Sequence, residues 1–268
     1  MTESMTEDSG ADSCGRNADE KGRSLSHLTV FCDFDGPILD VSDRYYQTYQ
    51  LALAEVQSNC QAEGVSLALQ PLDKQQFWSM KQNRVPDLDV ALRSGLPESY
   101  FEAFRAHVLR IVNQPALLHQ DRVQPGVRWA LSLLHAQGAR LILVTLRCQQ
   151  QALQILRQEG LAPLFTDIRG TNDTNAAYCN QADHKVRLLA DVMTDHAITP
   201  SAFTWMIGDT EADVLAGKAN AVPTIAITSG IRSATYLNRF HPTRIHTDLL
   251  SAAHFLVYQH ETFPAMVG

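Results

Sequence analysis

Apolar residues along the chain fall into two patterns. Leu28 to Cys32, Leu141 to Val144, Phe203 to Ile207 and Val222 to Ile227 are short, nearly continuous apolar runs. Runs of that length without polar alternation predict strands buried on both faces of a parallel sheet. Between them apolar positions recur at helical spacing. Val127 to His135 is amphipathic and stops at Gly138, and further helices are expected over 149–158, 183–195 and 211–219. Phe165 to Ile168 reads as a weaker strand. Pro223 belongs at the start of its strand or away from the sheet centre. Helical segments over 233–240 and 248–258 are expected to cover the sheet. The alternation predicts an α/β fold, a doubly wound parallel sheet with helices on both faces.

One long stretch departs from it. From Val41 to about Gln120 no run resembles a buried strand. Tyr45, Tyr49, Ala52, Leu53 and Val56 make one face of a first helix, with Ser42 as its expected N-cap. Phe77, Trp78 and Met80 fall in a short second helix, and Val90, Ala91 and Leu92 in a third ending near Gly95. Pro97 is expected to open a fourth, with Tyr100, Phe101, Phe104, Val108, Ile111 and Val112 on its buried side. The expected organisation is therefore a core of 27–40 and 122–268 with an all-helical insertion at 41–121. Residues 1–26 are polar, acidic and Gly/Ser-bearing, and predict a disordered tail without the apolar run of a secretion signal.

Composition narrows the classes. Of 268 residues, 45% are hydrophobic and 19% charged, the balance of a soluble enzyme. A formal charge of −7 with no basic stripe argues against nucleic acid. No apolar run is long enough to span a membrane. Five cysteines, at 14, 32, 60, 148 and 179, show no metal-binding spacing, so the expected location is the reduced cytoplasm. Cys32 is expected in the core beside Asp33, and Cys148 at a helix start.

The chemistry lies where strands end. The first run closes on Asp33-Phe34-Asp35-Gly36, and a later one on Gly208-Asp209-Thr210-Glu211-Ala212-Asp213. In an open α/β sheet the carboxyl ends of strands form the ligand-binding edge. Paired carboxylates on a buried edge need a cation or a retained proton. Asp213 either starts the following helix, through capping-box spacing from Thr210, or supports Asp209. Thr145 ends its strand as a helix N-cap or as a hydrogen-bond donor to a ligand. Arg147 reaches a ligand or lies on the helix surface. Lys81 and Arg84, on a short connection between two helices of the insertion, either face the carboxylates or form a solvated loop.

From about Leu28 to Ile227 the chain resembles the haloacid dehalogenase-like hydrolases, in the subgroup with a helical cap inserted after the first strand. The resemblance rests on Asp33-Phe34-Asp35-Gly36, Thr145, Lys185 and Gly208 to Asp213, in that order. It departs at Pro37, where the family usually has Thr, and at Leu146-Arg147, where an Asn often follows the threonine. It implies a Mg²⁺-dependent phosphatase for a small soluble phosphomonoester, possessing a phosphoglycolate-like substrate class and working as a monomer or homodimer. Asp33 would be the nucleophile that forms an aspartyl-phosphate, Asp35 the general acid and base, and Lys185 the balancing cation. Mg²⁺ would be held by Asp33, the Asp35 backbone carbonyl and Asp209. Thr145, Leu146 and Arg147 would lie against the phosphate, with Lys81 and Arg84 contacting the leaving group. Gly36, Gly208 and Asp213 would support the site. The same motifs also fit a phosphonatase using Lys81, a sugar phosphomutase, or a non-catalytic regulatory module that kept the fold.

Overall fold

The computed structural model describes residues 25–262, so most of the expected tail lies outside the described residues. Its last two positions are ordered: Leu25 is buried and its N–H donates to the Gln137 carbonyl. In chain order the elements begin with β1 (Thr29–Cys32), β2 (Leu39–Asp40), α1 (Ser42–Ala62), α2 (Lys74–Gln82), α3 (Asp87–Arg93), α4 (Phe101–Ile111) and α5 (Pro115–Leu118). They continue with β3 (Arg122–Val123), α6 (Val127–Ala136), β4 (Arg140–Cys148), α7 (Gln149–Gln158), β5 (Asp167–Thr171), α8 (Ala176–Cys179) and α9 (Ala182–Asp195). The remainder is β6 (Thr204–Gly208), α10 (Glu211–Ala219), β7 (Thr224–Ile227), α11 (Ala234–Leu237), β8 (Arg244–His246) and α12 (Leu249–Thr262).

Six strands form one parallel sheet in the order β5-β4-β1-β6-β7-β8. Side chains alternate across it, as the period-2 geometry of strands requires. Phe31, Ile142, Val144 and Met206 pack on one face with Leu189, Val192 and Met193 of α9 and Ala216 of α10. Val30, Cys32, Leu141, Leu143 and Ile207 pack on the other, with residues of α6, α7 and α12. Both faces are thus covered, and the apolar runs are continuous for that reason. β1 lies between β4 and β6, where the chain order of the sheet reverses. The crevice beyond its carboxyl end is the place a ligand occupies in such sheets.

The helices α1 to α5 lie between β2 and β3, which pair as a two-stranded antiparallel ribbon. Their core is aromatic: Tyr49 stacks on Phe77 with ring centroids 4.8 Å apart and meets Phe104 edge-on. The Tyr49 hydroxyl is 2.7 Å from Ser94 Oγ, so its polar end is satisfied inside the bundle.

Several boundaries differ from expectation. Ser42 is the first helical residue and not the cap; its N–H is taken by Asp40 Oδ1 at 2.9 Å, an acceptor placed one residue too early for the N-cap position. Pro97 leads into a 3₁₀ turn, Glu98–Tyr100, and α4 starts only at Phe101. β5 runs over Asp167–Thr171, later than the Phe165 to Ile168 run, because a 3₁₀ turn at Ala162–Leu164 occupies the approach. Pro223 precedes β7, as a residue without an N–H should. The short edge strand β8 falls between the two expected C-terminal helices, where three residues carry no visible pattern.

Phe31 is fully buried on the central strand, in one apolar cluster with residues of α9 and α10. Phe31→Ala is expected to lower the unfolding free energy by about 3–5 kcal/mol. Urea titration would show this as a lower midpoint at unchanged slope.

Candidate active site

The register of the central strands brings the aspartates together. Cys32 pairs with both Leu143 and Ile207, so Asp33 emerges between the ends of β4 and β6, beside Gly208 and Asp209. The Asp33 N–H donates to the Ile207 carbonyl at 2.9 Å, which fixes the first turn after the strand. Asp33, Asp209 and Asp213 each offer a carboxylate oxygen, and these all lie within 4.8 Å of one another. All three residues are buried.

Lys185 on α9 is the cation inside this cluster. Its Nζ is 2.7 Å from Asp33 Oδ1 and 2.9 Å from Asp213 Oδ1, and the side chain is 1% exposed. Burial disfavours its charge, but Asp213 and Asp33 outweigh that and raise its pKa. One ammonium does not balance three carboxylates. Burial and the neighbouring Asp213 push Asp33 up to about 7, although Lys185 pulls it down. Burial, Asp213 and Asp33 likewise raise Asp209 well above the carboxylate range. Asp209 Oδ2 accepts from the Ile231 N–H, while its Oδ1, fully buried, has no hydrogen-bond partner. An orphaned buried carboxylate oxygen inside an all-oxygen donor set fits a hard divalent cation such as Mg²⁺.

Glycines permit the close approach. A Cβ on Gly36, whose φ is +97°, would sit 2.1 Å from the Asp209 carboxylate, and one on Gly208 would sit 2.1 Å from that of Asp213. Both positions need the missing side chain. Asp213 starts the helix, as its capping-box spacing from Thr210 predicts, and its other oxygen meets Lys185. Its Oδ2 accepts from the Thr210 N–H at 3.0 Å and hydroxyl at 2.7 Å, which starts α10, while Oδ1 faces Lys185.

Asp35 sits apart from the carboxylate cluster. Arg147 Nε donates to Asp35 Oδ2 at 3.2 Å, and Arg147 Nη2 is 2.8 Å from Oδ1. Arg44 Nη2 approaches Oδ2 at 3.6 Å. Both arginines also grip Asp121, at 2.8 Å from Arg44 Nε and 2.6 Å from Arg147 Nη2. This buried quartet sets two guanidinium groups against two aspartate side chains, which makes its burial tolerable. Arg147 therefore neither lies on a helix surface nor reaches freely into the cleft; it is bound to carboxylates on two sides, and these raise its pKa against the opposing effect of burial.

Thr145, Leu146 and Asp35 line a small cleft with Asp33, Asn180 and Thr210. β4 continues past Thr145 to Cys148, but its pairing with β5 is irregular between Val144 and Cys148, so Thr145 turns out of register at the site. Its hydroxyl oxygen accepts from the Arg147 N–H at 3.1 Å, which leaves its proton available to a ligand.

Lys81 and Arg84 do not reach this cluster. Lys81 is buried and donates to Asp87 Oδ1 at 2.9 Å, with the Tyr178 ring 4.9 Å away. Arg84 Nε is 3.1 Å from Glu211 Oε1, and Arg232 takes the other Glu211 oxygen at 2.9 Å. The expected facing of these two cations toward the catalytic carboxylates is corrected: nearer acidic partners capture them, on the seam between the insertion and the sheet.

Arg44 and Asp121 escaped the sequence reading. Arg44, Thr48 and Ala52 recur every four residues and are all buried, so a cation on the buried face of α1 was a usable signal. Asp121, in a loop, offered none. Among the described residues no helix is long and apolar enough to cross a membrane. The four described cysteines are all free, Cys32 beside Asp33 in the core and Cys148 at the start of α7.

Comparison with known proteins agrees with this geometry. A family model described as haloacid dehalogenase-like hydrolase matches residues 30–227. A phosphoglycolate phosphatase of Agrobacterium fabrum is 26% identical over 213 residues, covering 78% of this chain and 83% of that protein. Pyrophosphatase PpaX of Halalkalibacterium halodurans is 29% identical over 126 residues; the match covers 46% of this chain and 56%, about half, of that relative. A predicted phosphatase from Clostridium acetobutylicum shares the fold, with a TM-score of 0.62 at 18% identity over 86% of this chain and 98% of its own.

The raised pKa of Asp33 sets a sign for stability in the absence of divalent ions. The native state holds this proton up to about 7 and the unfolded chain only to 3.8. The group therefore contributes stability below about pH 4 that is lost as pH rises through about 7. Asp33→Asn, which does not ionise, is expected to flatten that decline. Urea midpoints in EDTA at about pH 5 and about pH 8 check this: the wild-type drop should exceed that of the variant.

Proposed function

The chain belongs to the haloacid dehalogenase-like hydrolases, and on that premise we propose that it is a divalent-metal-dependent phosphatase of small phosphomonoesters. The observation that carries the reading is the buried set of Asp33, Asp209 and Asp213 with a single lysine among them, opening on a cleft shared with Thr145 and Asp35.

In this reading Asp33 attacks phosphorus, the bond to the leaving oxygen breaks, and an aspartyl-phosphate forms. Asp35, entering the first step protonated, gives that proton to the departing alkoxide, and as the carboxylate it takes one back from the water that hydrolyses the acyl phosphate. Thr145 donates to a phosphoryl oxygen, with Leu146 walling the cleft. Lys185 pulls the Asp33 carboxyl toward its ionised form and draws off charge as the phosphoryl group transfers. Asp33, Asp209 and the Asp35 carbonyl would hold Mg²⁺, with Asp213 supporting the set, and the ion would supply a positive charge that offsets the carboxylates and the phosphate. Residues 41–121 act as a cap over the core formed by 27–40 and 122–262.

A phosphoglycolate-like molecule is the working substrate class, supported by the name of the Agrobacterium relative and by the small cleft. The phosphonatase reading loses support from the site, because Lys81 is held by Asp87 and not presented to the cleft.

Phosphate release from p-nitrophenyl phosphate and from a panel of phosphorylated metabolites tests the proposal. Turnover is expected with Mg²⁺ and its abolition with EDTA. Asp33→Asn should reduce turnover by at least about a thousandfold. Lack of turnover on every panel member, with no Mg²⁺-dependent rise in melting temperature, would favour a non-catalytic module.

A further inference from the structure

The quartet around Asp35 joins three places that are far apart in the chain. Arg44 lies in the first turn of α1, directly after β2; Asp121 lies directly before β3; Arg147 lies at the end of β4. Arg44 and Asp121 thus stand at the two points where the chain passes between the sheet domain and the helical insertion. They hold each other at 2.8 Å across that double crossing, and Arg44 Nη1 also donates to the Val112 carbonyl at 3.1 Å, just beyond α4. Arg147 links this pair to Asp35, and its guanidinium also lies 5.5 Å from the Phe34 ring centroid.

We propose that Arg147, Asp121 and Arg44 are positioning residues that set the Asp35 carboxyl group for proton transfer to the leaving group and tie its position to the crossing between core and insertion. The inference rests on the acid and base role given to Asp35 above. A carboxyl group on a turn has two free torsions, and the paired contact with one planar guanidinium fixes both. Asp121 in turn fixes Arg147, because one carboxylate receives both arginines. A shift of the insertion moves Arg44 and Asp121 together and is transmitted through Arg147 to Asp35. The substrate class that depends on this device is the alkyl phosphate, whose leaving alkoxide requires a proton. A nitrophenolate leaves without one.

Asp121→Asn keeps the shape and loosens the grip. It is expected to lower kcat/KM for glycerol 2-phosphate by about tenfold or more, and for p-nitrophenyl phosphate by less than about threefold, a fraction of the full effect of a general acid. The ratio kcat/KM reports the steps through phosphoryl transfer, so slow hydrolysis of the acyl phosphate does not mask the difference. Asp121→Glu should recover part of the loss. Equal falls on both substrates, or none on either, would overturn the proposal. Should Asp121→Asn melt below the assay temperature, Arg147→Lys gives the same comparison with the same two outcomes. Asp35→Asn, measured alongside, separates the two readings. If it is selective for the alkyl phosphate and the Asp121 variant is not, only the positioning role falls. If Asp35→Asn is itself unselective, the acid role of Asp35 falls and the positioning role with it.

Discussion

Three carboxylates and one ammonium, all buried at the end of β1 and β6, impose the constraint on which the rest of the molecule depends. Two unit charges about 4 Å apart interact by roughly 4 kcal/mol at the effective dielectric of a protein site. Lys185 satisfies Asp33 and Asp213 and leaves Asp209 with an orphaned oxygen. An arrangement this short of positive charge calls for a cation or a retained proton. The surrounding sequence is shaped to keep the acids close: parallel pairing of β1 with β6 sets them side by side, and Gly36 and Gly208 leave room where any side chain would collide with them.

Asp33 and Asp35 are two residues apart yet occupy opposite electrostatic settings. Asp33 shares one lysine with two acids, whereas Asp35 faces two arginines and one acid. Environments that differ this much are how a site assigns two carboxylates to two tasks. The crowded, charge-deficient carboxylate suits a cation and a phosphoryl group. The one gripped by arginines suits a fixed orientation.

Much of this was legible in the residues. Unbroken apolar runs announced the parallel sheet because both of its faces are covered, and strand ends carrying acids announced the edge where they meet. The all-helical stretch was visible because its aromatic residues recur at helical spacing around Tyr49 and Phe104. Side-chain partners were not legible. Arg147 follows a motif threonine in the sequence, but its contacts come from residues more than twenty positions away, and Asp121 has no periodicity to betray it. Lys81 and Arg84 were misread for the same reason: a cation goes to the nearest acid in space, and Asp87 and Glu211 were nearer than the cluster. β8 failed because three residues on a sheet edge are too few to show a period.

Part of the seam between insertion and sheet is polar, set beside the apolar cluster that runs through both. Arg84, Glu211 and Arg232 form one cluster there, Lys81, Asp87 and Tyr178 another, and Arg232 and Ser233 hold the backbone at Lys81 and Gln82. An apolar seam of the same extent would hold the two parts together by the full gain of buried surface. Ion pairs regain much of their energy in water when they part, so the net worth of these polar contacts is small. Glu211 stands two residues after Asp209, and Arg232 follows Ile231, whose N–H holds the Asp209 carboxylate. Glu211 and Arg232 are therefore close chain neighbours of the residues that hold the buried, unpartnered oxygen of the acidic cluster. The acidic site and the polar part of the seam are thus built from the same two stretches of chain.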